Sequence, residues 1–348
     1  QQYRKINRCS EDDLHMPDAH LMVYKSLIVY EHKNETAHLI AINMDKETED
    51  VLDDRIKALK DMLNEHVHIP EPELLSVSFQ PDISKEAFER KVAKAKTYIN
   101  QGVAEQIVLS QRMKADIPGD PFSFYRKLRA ANPSPYMFYI DFQDYLIIGA
   151  SPETLIQTKD NNVVTNPIAG TRPRGKTQIE DDQLRKNLLE DHKELSEHEM
   201  LVELSKQELR VTCKEHSIHV PVYMNVEKYE HVMHLVSEVH GELKTNFTSF
   251  DALFECLPAG TVSGSPKDQA MEIINELEET KRGFYGGGIG YISFNHDLNI
   301  ALAIRSLVVK ENKAFLQVGA GIVKDSIPEN EYMETMNKAK SLMKSNEN

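Results

Sequence analysis

Closely spaced pairs of apolar runs constrain the fold of this chain more than any other feature of its sequence. Residues 21–30 and 38–42 form one pair, and residues 136–140 and 145–148 form another, each interrupted by a short polar segment. Such pairs predict antiparallel hairpins. Patterns of helical period lie between them at irregular intervals, not after every strand. The sequence therefore predicts an α+β fold with largely antiparallel sheets instead of a doubly wound parallel sheet.

Helical and strand patterns cover most of the remaining chain. Helices are predicted over residues 47–65, 84–101, 121–131, 180–210 and 329–343, with Phe88, Val92, Ala95 and Ile99 at helical spacing in the second. Further strands are predicted over residues 106–110, 163–171, 284–294, 302–306 and 315–323. A Pro/Glu-rich segment at residues 68–73 is the best candidate for a domain boundary.

Composition excludes several classes of protein. The net charge of −14, with no Lys/Arg-rich block, argues against a general nucleic-acid binder. Cys9, Cys213 and Cys256 are widely spaced and form no CxxC pair, which is typical of reduced thiols. The apolar runs are too short to span a bilayer, and the N-terminus has no signal-peptide pattern. We therefore expect a cytoplasmic globular protein.

One loop, residues 257–267, stands out by its small and rigid residues. It contains two glycines, two prolines and three hydroxyl residues between two apolar helical patterns. This composition predicts an ordered loop whose backbone approaches another group closely. A helix is predicted to begin just after Pro266, and its free N–H groups would favour an anion. An ordinary loop–helix junction would have the same composition.

Two predicted helices carry paired carboxylates. Glu194 and Glu197 are three residues apart, as are Glu331 and Glu334, and Lys338 follows four residues later. Each pair lies on one helical face. Two facing pairs would suit Mg²⁺, which takes one or two protein carboxylates and fills its other positions with water and substrate oxygens. Solvated helix faces also carry such pairs in an acidic chain.

Single residues in unusual contexts are further candidates. Glu153 follows a predicted strand, where a positioned carboxylic acid could donate a proton, although loop glutamates are often exposed. His234 has apolar neighbours, as a core histidine would. Arg305 is a charge within the apolar strand 302–306, and a buried guanidinium needs an anion. Residues 286–288 and 319–321 are glycine-rich and offer open backbone N–H groups. Together these features suggest a site for a small polycarboxylate.

Four motifs resemble the chorismate-utilising enzymes, and within them the component I (large subunit) branch of the anthranilate synthases. They are Pro167–Arg172, Pro258–Gly264, Tyr285–Gly287 and Gly319–Val323. The resemblance runs from about residue 20 to the C-terminus. It implies two packed, largely antiparallel β-sheets flanked by helices. It also implies a catalytic domain over residues 76–348, with residues 1–75 as the remnant of an N-terminal region packed on the same core.

The resemblance also implies roles for individual residues. Glu197 and Glu334 would hold Mg²⁺, with Glu194 and Glu331 acting through water, and the ion would bind the ring carboxylate of chorismate. Glu153 would protonate the departing C4 hydroxyl, while His234 and Thr261 would position the ring and assist pyruvate elimination. The remaining substrate-binding residues would be Gly170 and Thr171 at the ring, and Arg305, Tyr285, Lys338, Gly319, Ala320 and Gly321 at the enolpyruvyl carboxylate.

A few positions bear on the branch of the family. Isochorismate and salicylate synthases carry a lysine where this chain has Gln106, and an amide cannot deprotonate water. Aminodeoxychorismate synthases often carry a nucleophilic lysine where this chain has Ala169, although some members lack it. The Thr261–Gly264 sequence also differs from the form common in that branch. These positions favour amination by ammonia, which needs no activating base.

The predicted activity is therefore that of a lyase in tryptophan biosynthesis. Chorismate would be aminated at C2 with ammonia in a Mg²⁺-dependent step, and pyruvate would then be eliminated to give anthranilate. None of the three cysteines lies in an amidotransferase nucleophile motif, so glutamine would require a partner amidotransferase subunit, component II. The alternatives are the aminodeoxychorismate, isochorismate and salicylate synthases, and a catalytically silent chorismate-binding homologue.

A tryptophan feedback site is predicted in part. Residues Asn132, Pro133, Ser134, Tyr136, Met137 and Phe138 resemble one half of the family's inhibitor site. The other half, a Leu-Leu-Glu-Ser-type motif near the N-terminus, is not in this chain. Family members are usually longer at that end, so the resemblance implies a truncated or incomplete N-terminal region. Tryptophan is expected as the inhibitor of the complete site.

Overall fold

The computed structural model describes residues 10–65, 71, 77–230 and 232–343. The chain divides into two compact units, one within residues 16–71 and the other within residues 1–15 and 72–348. The predicted domain boundary and most of the segment 68–73 lie outside the described residues, as does Cys9. The assignment of residues 1–75 and 76–348 to two regions therefore stays a prediction.

The smaller unit contains one hairpin and one helix. Its elements are β1 (Ser26–Glu31), β2 (Thr36–Ala41) and α1 (Glu49–Asn64). The two strands are antiparallel, with Ser26 opposite Ala41. The predicted hairpin and helix are confirmed, although the first strand begins later than its apolar run.

The larger unit contains the remaining elements of the described chain. Its strands are β3 (Gln80–Pro81), β4 (Gln106–Asp116), β5 (Tyr136–Asp141), β6 (Leu146–Ser151), β7 (Thr154–Lys159), β8 (Asn162–Thr165), β9 (Ile168–Pro173), β10 (His219–Lys228), β11 (Val232–Glu242), β12 (Gly264–Ser265), β13 (Gly288–Ile292), β14 (Leu298–Leu302), β15 (Ser306–Lys310) and β16 (Lys313–Ile322). Its α-helices are α2 (Lys85–Asn100), α3 (Pro121–Ala131), α4 (Gln178–Glu190), α5 (His192–Thr212), α6 (Ser249–Cys256), α7 (Lys267–Leu277) and α8 (Pro328–Met343).

The strands of this unit form two antiparallel sheets. In the described part of the chain each sheet has seven strands. One has the order β12-β4-β16-β15-β6-β5, with β3 beside β4, and the other the order β10-β11-β8-β7-β14-β13, with β9 beside β11. The predicted α+β class with antiparallel sheets is confirmed.

The longest pairing joins β4 to β16. Ten residue pairs run from Asp116–Lys313 to Ile107–Ile322. Helix α2 packs against this pair through Phe88, Val92, Ala95 and Ile99, which form a buried cluster with Ile107, Leu109, Ala320 and Ile322. The helical face predicted from spacing is therefore the buried one, and it supports the strands that carry part of the candidate site.

Two predicted elements are each divided in two. The strand predicted over 163–171 is β8 followed by β9, because Pro167 has no N–H to continue the ladder. The helix predicted over 180–210 is α4 followed by α5. The chain leaves the helical conformation at Asp191, whose carboxylate caps α5 by accepting from the N–H groups of Lys193 and Glu194.

Other predictions were shorter or longer than the observed elements. The strand predicted over 284–294 is only β13, since Gly286 with φ of +77° belongs to the preceding turn. Strands β3, β7, β10, β11 and β12 carried no prediction, and the strand predicted over 302–306 overlaps only the last residue of β14 and the first of β15. In β10 half-buried and exposed residues alternate, and the half-buried ones are Val220, Val222, Met224 and Val226, a period-two signal that the sequence analysis did not use. In the described ranges no helix is both long and apolar enough to cross a membrane.

The packing of α2 gives a first prediction. Replacing the fully buried Phe88 by Ala should lower the free energy of unfolding by about 3–5 kcal/mol, because it removes apolar contact and leaves a cavity. Urea denaturation would measure this change. The control Arg90→Ala, at an exposed position on the same helix, should stay within about 0.5 kcal/mol of the wild type. A loss no larger than the control's would contradict the assigned helix face.

Candidate active site

Gln106 and Glu197 meet beside a glycine of β16. Gln106, the first residue of β4, donates from Nε2 to Oε1 of Glu197 on α5 over 2.8 Å. A Cβ placed on Gly321 would lie 2.8 Å from that nitrogen and 3.7 Å from that oxygen. Glycine at this position therefore leaves the room that the pair occupies. Gln106 Oε1 is buried, with no hydrogen-bond partner among the described residues.

The two predicted carboxylate pairs influence one another. Burial raises the pKa of Glu197, and the charges of Glu194 and Glu334 raise it further, against the hydrogen bond from Gln106. Burial also raises the pKa of Glu331, with Glu334 adding to the effect. The glutamates of α5 and α8 therefore repel one another, as carboxylates that share a cation would without it.

The carboxylates of α5 and α8 have the ligand chemistry that Mg²⁺ prefers. Within the described ranges, no three His, Cys, Asp or Glu side chains converge as a ready metal cage. Mg²⁺ needs only one or two carboxylates, so Glu197 and Glu334 fit it as a donor set. Glu334 is paired with Lys338 at 2.8 Å, and Glu194 contacts Arg172 at 3.4 Å.

Lys338, Gly319 and Tyr285 form a second part of the site. Lys338 Nζ on α8 donates to the carbonyl of Gly319 over 2.9 Å. A Cβ on Gly319 would lie 2.7 Å from the Tyr285 hydroxyl, too close to be accommodated. Burial raises the pKa of Tyr285 to about 12, so the phenol keeps its proton and can donate to an anion.

Glu153 lies between β6 and β7, where the sequence placed it, but it is only 7% exposed. Thr261 Oγ1 donates to its Oε1 over 2.9 Å. Burial raises the pKa of Glu153 to about 7, against the lowering effects of that hydrogen bond and of the Arg305 and Lys338 charges. The carboxyl group is therefore partly protonated at neutral pH, as a general acid must be.

A β-bulge determines the environment of His234. The pairing of β11 with β9 shifts between His234 and Leu235, leaving Gly170 as the extra residue with φ of +70°. His234 Nδ1 lies 3.2 Å from the Gly170 carbonyl and 2.9 Å from Thr171 Oγ1. Because a carbonyl only accepts, the proton is on Nδ1 and Nε2 keeps its lone pair.

The other ring nitrogen of the same imidazole makes no such contact with the described residues. His234 Nε2 is buried and has no hydrogen-bond partner in the described part of the chain. Burial lowers the pKa of His234 to about 4, and the nearby Arg305 charge acts in the same direction. The ring is therefore neutral near pH 7, and Nε2 can accept a proton or a hydrogen bond.

The strand predicted around Arg305 is wrong. Arg305 lies in the turn between β14 and β15 with φ of +49°, a left-handed conformation that ends the ladder there. No hydrogen bond or ion pair to its side chain occurs among the described residues. Burial lowers the pKa of Arg305, while the nearby Glu153 and Tyr229 raise it. The guanidinium is available to bind an anion.

One residue of the predicted tryptophan site contacts the chain beside Glu153. Asn132, Pro133 and Ser134 follow α3, and Tyr136, Met137 and Phe138 belong to β5. The Tyr136 hydroxyl bonds to Thr154 Oγ1 at 2.8 Å, and Thr154 adjoins Glu153 in the chain. This contact joins one sheet to the other.

Four charged or polar residues near the site were missed by the sequence analysis. They are Arg172, beside Glu194; Tyr229, whose ring centroid is 5.6 Å from that of His234; and the buried pair Glu278 and Arg282. Arg172 ends the Pro167–Arg172 motif and Arg282 stands three residues before Tyr285. Their closeness to motifs was the available signal. Nothing in the spacing of Tyr229 pointed to the site.

Comparison with known proteins shows the family of the chain. The chain matches the family model of the chorismate binding enzymes over residues 1–344. The anthranilate synthase component 1 of Lactococcus lactis subsp. lactis (strain IL1403) is 47% identical over 339 residues, which are 96% of this chain and 74% of that protein. That of Acetivibrio thermocellus is 45% identical, covering 98% and 72%.

A solved structure extends this similarity to the fold. The crystal structure of anthranilate synthase component I from Streptococcus pneumoniae TIGR4 has a TM-score of 0.92 and 43% sequence identity, covering 98% of this chain and 77% of that one. The resemblance inferred from the four motifs is thereby confirmed. Since sequence and fold agree over nearly its whole length, the chain belongs to the chorismate binding enzyme family.

Proposed function

We propose that this chain catalyses the anthranilate synthase reaction: amination of chorismate at C2 with ammonia, then elimination of pyruvate. The observation that carries the proposal is Glu153, a buried carboxyl with a pKa of about 7 beside Thr261 and near two cations. Such a group can protonate a departing hydroxyl at neutral pH. The relatives named anthranilate synthase component 1 support this reaction over the isochorismate, salicylate and aminodeoxychorismate alternatives.

Glu153 and Thr261 serve the loss of the C4 hydroxyl in this proposal. The protonated carboxyl of Glu153 transfers its proton to that oxygen, so that water departs instead of hydroxide. Thr261 keeps one carboxyl oxygen occupied and thereby orients the other toward the substrate. The negative charge left on Glu153 is stabilised by the Arg305 and Lys338 charges.

Mg²⁺ would be held by Glu197 and Glu334, with Glu194 and Glu331 acting through water. When bound, the ion supplies positive charge to the ring carboxylate of chorismate. Arg305, Lys338, the Tyr285 hydroxyl and the N–H groups of residues 319–321 bind the enolpyruvyl carboxylate. Gly170 and Thr171 shape the ring pocket.

Gln106 and His234 act on protons in different ways. Gln106 cannot remove a proton from water, and its unpaired Oε1 can accept a hydrogen bond from ammonia. Ammonia as free base attacks C2 without a general base. The neutral His234, with its lone pair on Nε2, positions the ring and assists the later elimination of pyruvate.

The partner relations follow from the proposed reaction. The name component 1 in the relatives implies a second component. We propose a glutamine amidotransferase subunit that supplies ammonia, tryptophan as an inhibitor, and a cytoplasmic location. The catalytic residues all lie within residues 76–348, so this range would be the catalytic domain.

The proposed reaction predicts the products. Chorismate, ammonium salt and Mg²⁺ should give anthranilate and pyruvate. The fluorescence of anthranilate measures the reaction, and EDTA should abolish turnover. An aminated product that retains its enolpyruvyl group, detected by mass spectrometry, would instead indicate aminodeoxychorismate synthase. Absence of turnover with intact chorismate binding would indicate a silent homologue.

The role of Glu153 predicts a pH dependence. Because the acid form is needed, kcat/KM at constant free ammonia should fall as the pH rises through about 7. Glu153→Gln should lower kcat by about 10²- to 10⁴-fold and remove this limb of the profile. Glu105→Gln, at an exposed position just before β4, is the matched control. An unchanged profile in the Glu153 variant would refute the assignment.

Burial of the same carboxyl predicts a change in stability. Its folded pKa, about 7, lies above the ordinary 4.5, so between these pH values the unfolded chain holds fewer protons and stability falls as the pH rises. Relative to Glu153→Gln, the wild type should lose up to about 3 kcal/mol of unfolding free energy across this window. Chemical denaturation from pH 4 to 8 would measure it; a parallel pH dependence in the two proteins would contradict it.

The assignment of Glu334 as a metal ligand predicts that its substitution weakens the response to Mg²⁺. Glu334→Gln should raise the Mg²⁺ concentration needed for half-maximal activity by about tenfold or more, because a neutral amide is a weaker ligand than a carboxylate. Glu329→Gln changes an exposed glutamate on the same helix and should leave this concentration unchanged. Equal responses of the two variants to Mg²⁺ would rule out a ligand role for Glu334.

A further inference from the structure

Arg282, between α7 and β13, connects three parts of the site. Its Nε and Nη2 donate to the two carboxylate oxygens of Glu278 at 2.7 and 2.6 Å. Its Nη1 donates to the carbonyl of Val262 at 2.6 Å and its Nη2 to that of Val108 at 2.7 Å. The guanidinium carbon lies 5.6 Å from the centre of the Tyr285 ring. A cation at this distance is attracted to the ring face.

Each of these contacts touches an element that carries a site residue. The Val262 carbonyl follows Thr261, the partner of Glu153. The Val108 carbonyl belongs to the residue that pairs with Gly321 in β16. The ring of Tyr285 brings its hydroxyl against Gly319. One guanidinium therefore bonds to the loop that carries Thr261 and to the strand that pairs with β16, and its carbon lies 5.6 Å from the centre of the Tyr285 ring.

Glu278 is itself fixed by further hydrogen bonds, so the Arg282–Glu278 pair cannot move as a unit. It is 7% exposed, and its Oε1 accepts from the N–H and the hydroxyl of Ser110 at 2.7 and 2.9 Å. The same hydroxyl accepts from Gln317 at 2.8 Å, and Gln317 accepts from Arg112 at 3.1 Å. This network leaves the buried charges of Arg282 and Glu278 paired, as their burial requires.

We propose that Arg282 is a positioning residue, which fixes the Tyr285 hydroxyl beside Gly319 and thereby determines how tightly the substrate carboxylate binds. The inference rests on the proposed function. The planar fork matters as well as the charge, because it makes four hydrogen bonds to three groups while its carbon stays close to the Tyr285 ring. A lysine keeps the charge and cannot reproduce these bonds.

A double-mutant cycle separates this role from general stabilisation. Arg282→Lys and Tyr285→Phe should each raise the KM for chorismate about tenfold, with kcat changed less than about threefold, since both weaken an interaction with the enolpyruvyl carboxylate that the bound substrate and the transition state share. If Arg282 acts through the tyrosine hydroxyl, the double variant should bind no worse than the weaker-binding single variant. Effects that multiply, to about 100-fold, would overturn the inference.

Two further measurements keep the test informative. The same cycle is run on the dissociation constant of chorismate, and thermal unfolding is recorded for every variant. A drop in Tm with unchanged KM would mean that Arg282 is structural only. If Arg282→Lys does not fold, Glu278→Gln takes its place in the cycle. The effects of Glu278→Gln and Tyr285→Phe on KM should then not multiply either. Arg90→Lys, exposed on α2, is the control for the substitution itself.

The proposed function and this inference fail in different ways. A wild-type protein that neither converts nor binds chorismate would remove the proposed function and the inference with it. A wild type that makes anthranilate, with multiplying effects in the cycle, would leave the function intact and overturn only the role of Arg282.

Discussion

The antiparallel pairing of β4 with β16 is the contact on which the candidate site depends. It brings Gln106 at one end of β4 alongside Gly321 and places Gly319 opposite Ser110. Helix α2 buries one face of the pair, and α8 contributes Lys338, which bonds to the carbonyl of Gly319. A shift of one residue would turn every side chain of β16 to the other face. The register therefore decides which groups meet in the pocket.

Much of the fold could be predicted from local patterns, because the elements concerned bury one face. The spacing of Phe88 and Val92 predicted α2 and its buried face, and the paired apolar runs predicted the two hairpins. The failures were at positions where a single residue overrides a pattern. Pro167 and Asp191 each divided an element that had been predicted as continuous.

Residues of the candidate site could be selected from the sequence, whereas their geometry could not. Glu153 and His234 were selected from their neighbours in the sequence, but their burial and their shifted pKa values depend on contacts with distant segments. The left-handed turn at Arg305 could not be predicted, since the residues before it, 302–304, are apolar and continue a strand pattern. The Arg282–Glu278 pair was missed because its partners, Val108 and Val262, contribute only backbone carbonyls.

The unpaired guanidinium of Arg305 has a consequence for discrimination among ligands. In the free protein the side chain of this largely buried cation has no ion-pair or hydrogen-bond partner among the described residues, and the nearby Glu153 carboxyl offsets only part of the cost of burial. Under the proposed function, a carboxylate removes that cost on binding. An analogue with an esterified carboxylate would lose more than one contact, because it would cover the cation and leave it uncompensated. The enzyme would then reject neutral analogues of its own substrate more strongly than shape alone could explain.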